Sequence, residues 1–203
     1  MTLRPMLAAA CLALTALAGF GLAQHQGGGG MQAFGGQEER MSTRVLYFGN
    51  MSSPGGVFLD YGTPEWKPEY DTKLDEMTKG KRVRFGKGVW TCFDTNLPLT
   101  AGSTKIAPSL YYCALERSKD DRWTLILLDP AAVRAKKLDA FQTDATTGGI
   151  SIELKHGTVK ESAQKLSIAL EAGKDDPKSI TLTIHWGTHQ LTTQLAAQLG
   201  NEQ

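Results

Sequence analysis

His185 and His189 are the side chains in this chain best spaced for chemistry. They flank Gly187-Thr188, and a tight turn there would set the two imidazoles on facing strands. Neutral imidazoles ligate divalent metals, and with Asp or Glu from elsewhere such a metal would activate water for hydrolysis. His156, beside Gly157, is a further ligand of the same type and reads otherwise as a turn residue. The competing account makes both histidines exposed ends of a hairpin, since closed metal sites need four ligands and open ones three. Other catalytic sets have less behind them. There is no Gly-x-Ser-x-Gly elbow, and no Ser stands beside a His. Asp60, Asp94 and Asp129 end apolar runs, as paired carboxylates would, but Asp129 precedes Pro130 and reads as a helix cap. No strand is followed by Gly-x-Gly-x-x-Gly and no phosphate-binding lysine loop occurs, so no cofactor is expected.

Aromatic residues offer a second kind of site. Trp66, Tyr70, Trp90, Trp123 and Trp186 present flat apolar surfaces with polar edges, which suit sugars and other ring ligands. Trp90, Trp123 and Trp186 lie inside alternating runs and belong to a core. Trp66 and Tyr70 lie in a proline-containing loop among charges, where binding residues concentrate, and are the expected ligand-binding pair.

The elements that must carry these residues are mostly strands. Ser109 to Asp129 reads as a hairpin: two apolar runs joined by Ser118-Lys119-Asp120-Asp121. Trp123 to Leu128 is apolar on both faces, which predicts a central strand covered on both sides. Val45–Phe48, Val57–Tyr61, Arg82–Phe85, Val89–Phe93, Ile150–Leu154, Leu166–Leu170, Ile180–Trp186 and Leu191–Leu195 read as further strands. Asp71 is expected to cap a short helix through Met77 with Leu74 and Met77 on its buried side, and Asp129-Pro130 to start another reaching Leu138. Lys174-Asp175-Asp176-Pro177 is a turn. Eight or more short strands with one or two helices predict an all-β, mainly antiparallel fold, a β-sandwich or open barrel.

Of 203 residues, 1–23 read as a secretory signal peptide: Arg4, an apolar run from Met6 to Ala18, then Gly21-Leu22-Ala23 as the cleavage site. Residues 24–43 read as a Gly-rich flexible tether, and 44–203 as a single β-rich domain. The expected location is periplasmic or extracellular, with no integral membrane segment after cleavage. Removing the signal leaves 21 Lys plus Arg against 21 Asp plus Glu, a neutral chain without a basic aromatic patch, so nucleic acid is not an expected partner. Cys92 and Cys113 remain, in an oxidising compartment, and are either bridged or two buried thiols. No C-x-x-C supports a redox or zinc-thiolate role.

Several segments in order resemble one bacterial exported family, that of domain of unknown function 2911. They are Leu59–Lys67 (LDYGTPEWK), Phe85–Trp90 (FGKGVW), Lys105–Tyr111 followed by Trp123-Thr124-Leu125, and the strand Ile180–Trp186. Thr91–Asn96 departs from the Gly-Ala-Asn-Glu-like turn usual at that place. The resemblance implies an exported β-rich domain and no particular activity. The reading is therefore a non-catalytic cell-envelope binding module for a glycan or protein ligand, held by Trp66 and Tyr70. A metal-assisted periplasmic hydrolase using His185 and His189 is the alternative.

Overall fold

A computed structural model describes residues 38–48 and 54–199. The signal peptide and most of the tether read from the sequence lie outside the described residues. The fold is all-β. Its strands are β1 (Arg40–Tyr47), β2 (Gly55–Gly62), β3 (Lys81–Arg84), β4 (Thr91–Thr95), β5 (Leu99–Ala101), β6 (Thr104–Ile106), β7 (Ser109–Arg117), β8 (Trp123–Leu128), β9 (Ile150–Ala172) and β10 (Ser179–Ala197). Two α-helices, α1 (Tyr70–Thr78) and α2 (Pro130–Ala135), and a 3-10 helix at Ala140–Ala145 complete it. β1 begins at Arg40, inside the stretch read as tether. Arg40 is held there by a charge-assisted hydrogen bond to Asp60 on β2. No helix among the described residues is long and apolar enough to cross a membrane.

Every strand pairing is antiparallel, in the order β1-β2-β4-β7-β8-β9-β10-β5-β6, with β3 beside β7. β4 and β3 share one edge of β7, taking Ser109–Cys113 and Ala114–Arg117 respectively. The sheet curls into an open barrel. The chain leaving β2 meets β9 again, where Leu166 N–H donates to Pro64 O at 2.9 Å and Trp66 N–H to Gln164 O at 2.7 Å. Leu170 N–H also donates to Thr43 Oγ1 on β1 at 3.0 Å.

The hairpin β7–β8 stands at the middle, as its composition predicts. Leu125 and Leu127 face the main core, while Ile126 and Leu128 face a smaller one under Val133 and Ala140. Burial on both faces explains why β8 has almost no polar residue. The turn is closed by Ser118 Oγ, which accepts from Asp120 N–H and Arg122 N–H. Asp129 caps α2, accepting from Ala131 N–H at 2.8 Å, with Pro130 at the first turn. The helix ends at Ala135 rather than Leu138, because Lys137 takes a left-handed conformation (φ 57).

Other expectations change or are decided: α1 starts at Tyr70 after Glu69, so Asp71 lies in its first turn and is not its cap. Ile150–Leu154 and Leu166–Leu170 belong to one strand of 23 residues, β9. Ile180–Trp186 and Leu191–Leu195 belong to another of 19 residues, β10, with no turn at Gly187-Thr188. Cys92 and Cys113 are free. They lie on adjacent strands, but Cys92 registers with Tyr112 and Cys113 with Thr91. Paired residues share a face and successive residues alternate, so the two thiols point to opposite sides of the sheet and no bridge can span them. Burial pushes the Cys113 thiol well above its ordinary range.

Two outcomes follow. The melting temperature is expected to be the same with and without a strong reductant; a drop on reduction would contradict the opposed thiols. Asp129→Ala is expected to cost about 1 kcal/mol in urea unfolding, the usual worth of a lost N-cap.

Candidate functional site

The site forms where the long ribbon β9–β10 loses register. His185 pairs with Ser167, Gly187 with Ala163 and His189 with Thr158, so β9 runs four residues and then five against two each time on β10. The surplus residues of β9 bulge away from β10, and there they meet the loop after β2, with Glu65 bridging Lys165. The bulge also changes which side chains of β10 face inward. Before Gly187 the buried positions are even (Ile180, Leu182, Ile184); after it they are odd (Leu191, Leu195, Ala197).

This change of phase overturns the pairing of His185 with His189. Both lie on one strand, and the bulge between them turns them to different faces. His185 Nε2 contacts the backbone oxygen of Glu161 at 3.1 Å on the outside. His189 faces in and meets His156, the residue read as a turn. Their rings stack at 5.4 Å and 18°, with His156 Nε2 and His189 Nδ1 3.1 Å apart. They are diagonal neighbours across the ribbon, since His156 registers with Leu191 and His189 with Thr158. Among the described residues no group of three or more His, Cys, Asp or Glu side chains is placed to hold a metal ion.

Trp66 and Tyr70 do come together with His189, though not as an open platform. Gly187 has φ 61, and a Cβ there would stand 2.5 Å from the Trp66 ring. Only glycine therefore permits both the bend and the contact. Trp66 meets Trp186 edge-on at 4.9 Å and 88°, and Tyr70 at 5.6 Å and 76°. Its ring is 5.6 Å from that of His189. Trp186 is half-buried and donates Nε1–H to Pro64 O at 3.0 Å, which fixes the loop from behind.

These rings wall one end of a cavity of about 320 Å³ at the mouth of the barrel. Helix α1 covers it with Leu74, Met77 and Thr78. The helix therefore presents its apolar side to an opening rather than to packed core, and Met77 stays 41% exposed. Val83, Leu115, Leu166, Ile184 and Leu191 form the interior, with Trp123 and His156 toward the rim of the sheet. A largely apolar cleft with few polar groups in a barrel mouth is a usual form of small-molecule site.

Arg117 ties the helix to the sheet. Its guanidinium, 8% exposed, reaches Asp75 Oδ1 on α1 and Asp121 Oδ1 in the β7–β8 turn, each at 2.7 Å. It donates also to Thr78 Oγ1 at 3.1 Å and lies 5.2 Å from the centre of the Trp123 ring. Asp121, further bound by Lys79, is held below the usual carboxylate range. Burial lowers the pKa of both His156 and His189; Arg117 lowers each further, and for His189 so does His156. Asp121 opposes this at His156, as Asp71 and Asp75 do at His189. Both imidazoles are thus mainly neutral at pH 7.

Sequence reasoning missed the cavity and the His156–His189 contact. One signal was present: the apolar phase of Ile180–Leu195 switches from even to odd across Gly187, which marks a bulge better than a turn. No family model, curated protein or solved structure matches the chain.

Two measurements bear on this geometry. Gly187→Ala is expected to lose about 2–4 kcal/mol in urea unfolding, from steric clash and a strained φ together, whereas Gly157→Ala, which meets nothing within 4 Å, should change little. The histidine shifts carry a sign. Folded-state pKa values below the ordinary 6.5 mean that the unfolded chain takes up protons first, so stability is full above pH 6.5 and falls as pH drops toward the folded values. Denaturation midpoints between pH 7.5 and 5.5 should show that fall, and His189→Phe should flatten it.

Proposed function

We propose that this chain is a non-catalytic ligand-binding module of the bacterial cell envelope, and that its ligand is a small apolar molecule held in the barrel mouth. The observation that carries the reading is the cavity itself: about 320 Å³, covered by α1 and walled by Trp66, Tyr70 and Trp186. Leaving that much apolar lining uncovered costs roughly 25 cal/mol per Å² against burying it, which a bound apolar ligand recovers. The export setting rests on the order of charge, apolar run and small residues in 1–23 and on the likeness to the exported family. A glycan lying on an open Trp66–Tyr70 face fits less well. Trp66 is spent against Gly187, and no Asp, Glu, Asn or Gln among the described residues lines the cavity to bind sugar hydroxyls. The hydrolase reading loses its pair, because His185 and His189 diverge. His156 and His189 bond each other rather than a nucleophile.

N-phenyl-1-naphthylamine, a neutral apolar fluorophore, is the probe of choice. Saturable binding at one molecule per chain is expected. Met77→Trp, which puts a large ring at the mouth from an exposed helix position, should weaken it about tenfold, the equivalent of about 1.4 kcal/mol, with little change in melting temperature. A folded chain that takes up the probe without saturation would overturn the reading.

A further inference from the structure

We infer that the cavity holds its ligand at neutral pH and releases it on acidification, and that the His156–His189 pair in its wall is the element that takes up the proton. The inference rests on the small-molecule reading of the barrel mouth given above.

Both imidazoles line the cavity, His156 from β9 and His189 from β10. His156 Nε2 and His189 Nδ1 stand 3.1 Å apart. A hydrogen bond between two ring nitrogens needs one donor and one acceptor, so one of the facing nitrogens carries no hydrogen. The pair is then neutral, or one ring of the two is charged. A second charge would set two N–H groups against each other and part the rings. The pair touches the aromatic wall on both sides: His189 is 5.6 Å from the Trp66 ring, and His156 is 6.2 Å from that of Trp123. Acid therefore acts in two stages, first by placing a charge in the cavity wall and then by breaking the contact between the rings.

Among the described residues that line the cavity, histidine is the one type whose charge ordinarily changes between pH 5 and 8. The charged groups that face the pair are Arg117 on β7, Asp121 in the β7–β8 turn, and Asp71 and Asp75 on α1. Arg117 opposes a further positive charge. The carboxylates favour one, but Asp75 and Asp121 are each bound to Arg117 at 2.7 Å, and Asp121 to Lys79 as well. Burial already disfavours the charged form of both rings. An uncharged apolar ligand in the cavity takes more water from them and supplies no counter-charge, so it disfavours that form further. Linkage is reciprocal: a ligand that hinders protonation is itself displaced by protons. The free pair titrates below the ordinary 6.5, so affinity is full above pH 6.5 and falls below it. An anionic ligand would show the opposite sign, because a charged imidazole attracts it.

The test titrates N-phenyl-1-naphthylamine, which stays neutral throughout, into the full chain from pH 7.5 down to the lowest pH at which circular dichroism shows the native fold. Affinity is expected to be constant above pH 7 and to be about threefold weaker at pH 5.0. In the unmodified chain, the ring C–H resonances of His156 and His189 should titrate at lower pH with the probe bound. That of His185, on the outside, should titrate alike with and without it. Replacing the pair by His156→Gln together with His189→Gln should make affinity independent of pH; if that variant does not fold, the histidine resonances of the unmodified chain decide. Saturable binding of unchanged affinity across the range would overturn this inference and leave the cavity reading standing. A fall in affinity without a shift of the His156 and His189 titrations would place the proton elsewhere and overturn the role of the pair. Affinity that rises on acidification would overturn the direction of release. Failure of the fluorophore to bind at pH 7.5 would remove the cavity reading and this inference with it.

Discussion

The bend of the β9–β10 ribbon at Gly187 is the constraint on which the rest of the site depends. A two-stranded ribbon 19 to 23 residues long cannot stay flat and also serve both sides of a small barrel. It bends where one residue can take φ 61 and where a missing Cβ leaves room for an indole. Trp66 fills that room. Its packing draws the loop after β2 onto the bulged part of β9, and the two backbone bonds there hold the loop in place. The same bend turns His189 inward and His185 outward.

Helix α1 is held over the resulting mouth from both ends. Tyr70 starts the helix within the ring cluster, and Arg117 grips its last turn through Asp75 and Thr78. The grip is partly solvent-exposed on the carboxylate side, so its contribution is modest and falls with salt. The helix thereby stands over the opening without filling it. Leu74 and Met77, which a packed helix would bury, form a ceiling instead.

The polar groups of the mouth are few, and most are compensated within the protein. Arg117 has its two carboxylates, the imidazoles have each other, and Trp186 has a backbone oxygen. Trp123 has none.

Much of the framework was legible in the residues. Alternation located the strands, the polar cluster Ser118–Asp121 located the central turn, and Asp129-Pro130 located the start of α2, because each of these is a local matter of side-chain period, hydrogen-bonding reach or fixed φ. The two-sided apolarity of Trp123–Leu128 foretold a strand covered on both faces. The pairing of His156 with His189, the opposition of Cys92 and Cys113, and the cavity under α1 were decided only by tertiary structure. A period of two tells which residues share a face within one strand; it does not set the register between strands 33 residues apart, and a bulge resets the phase. Thus Trp66 and Tyr70 were marked out by their place in a loop among prolines and charges, whereas their role as cavity wall came from a glycine on another strand more than a hundred residues away.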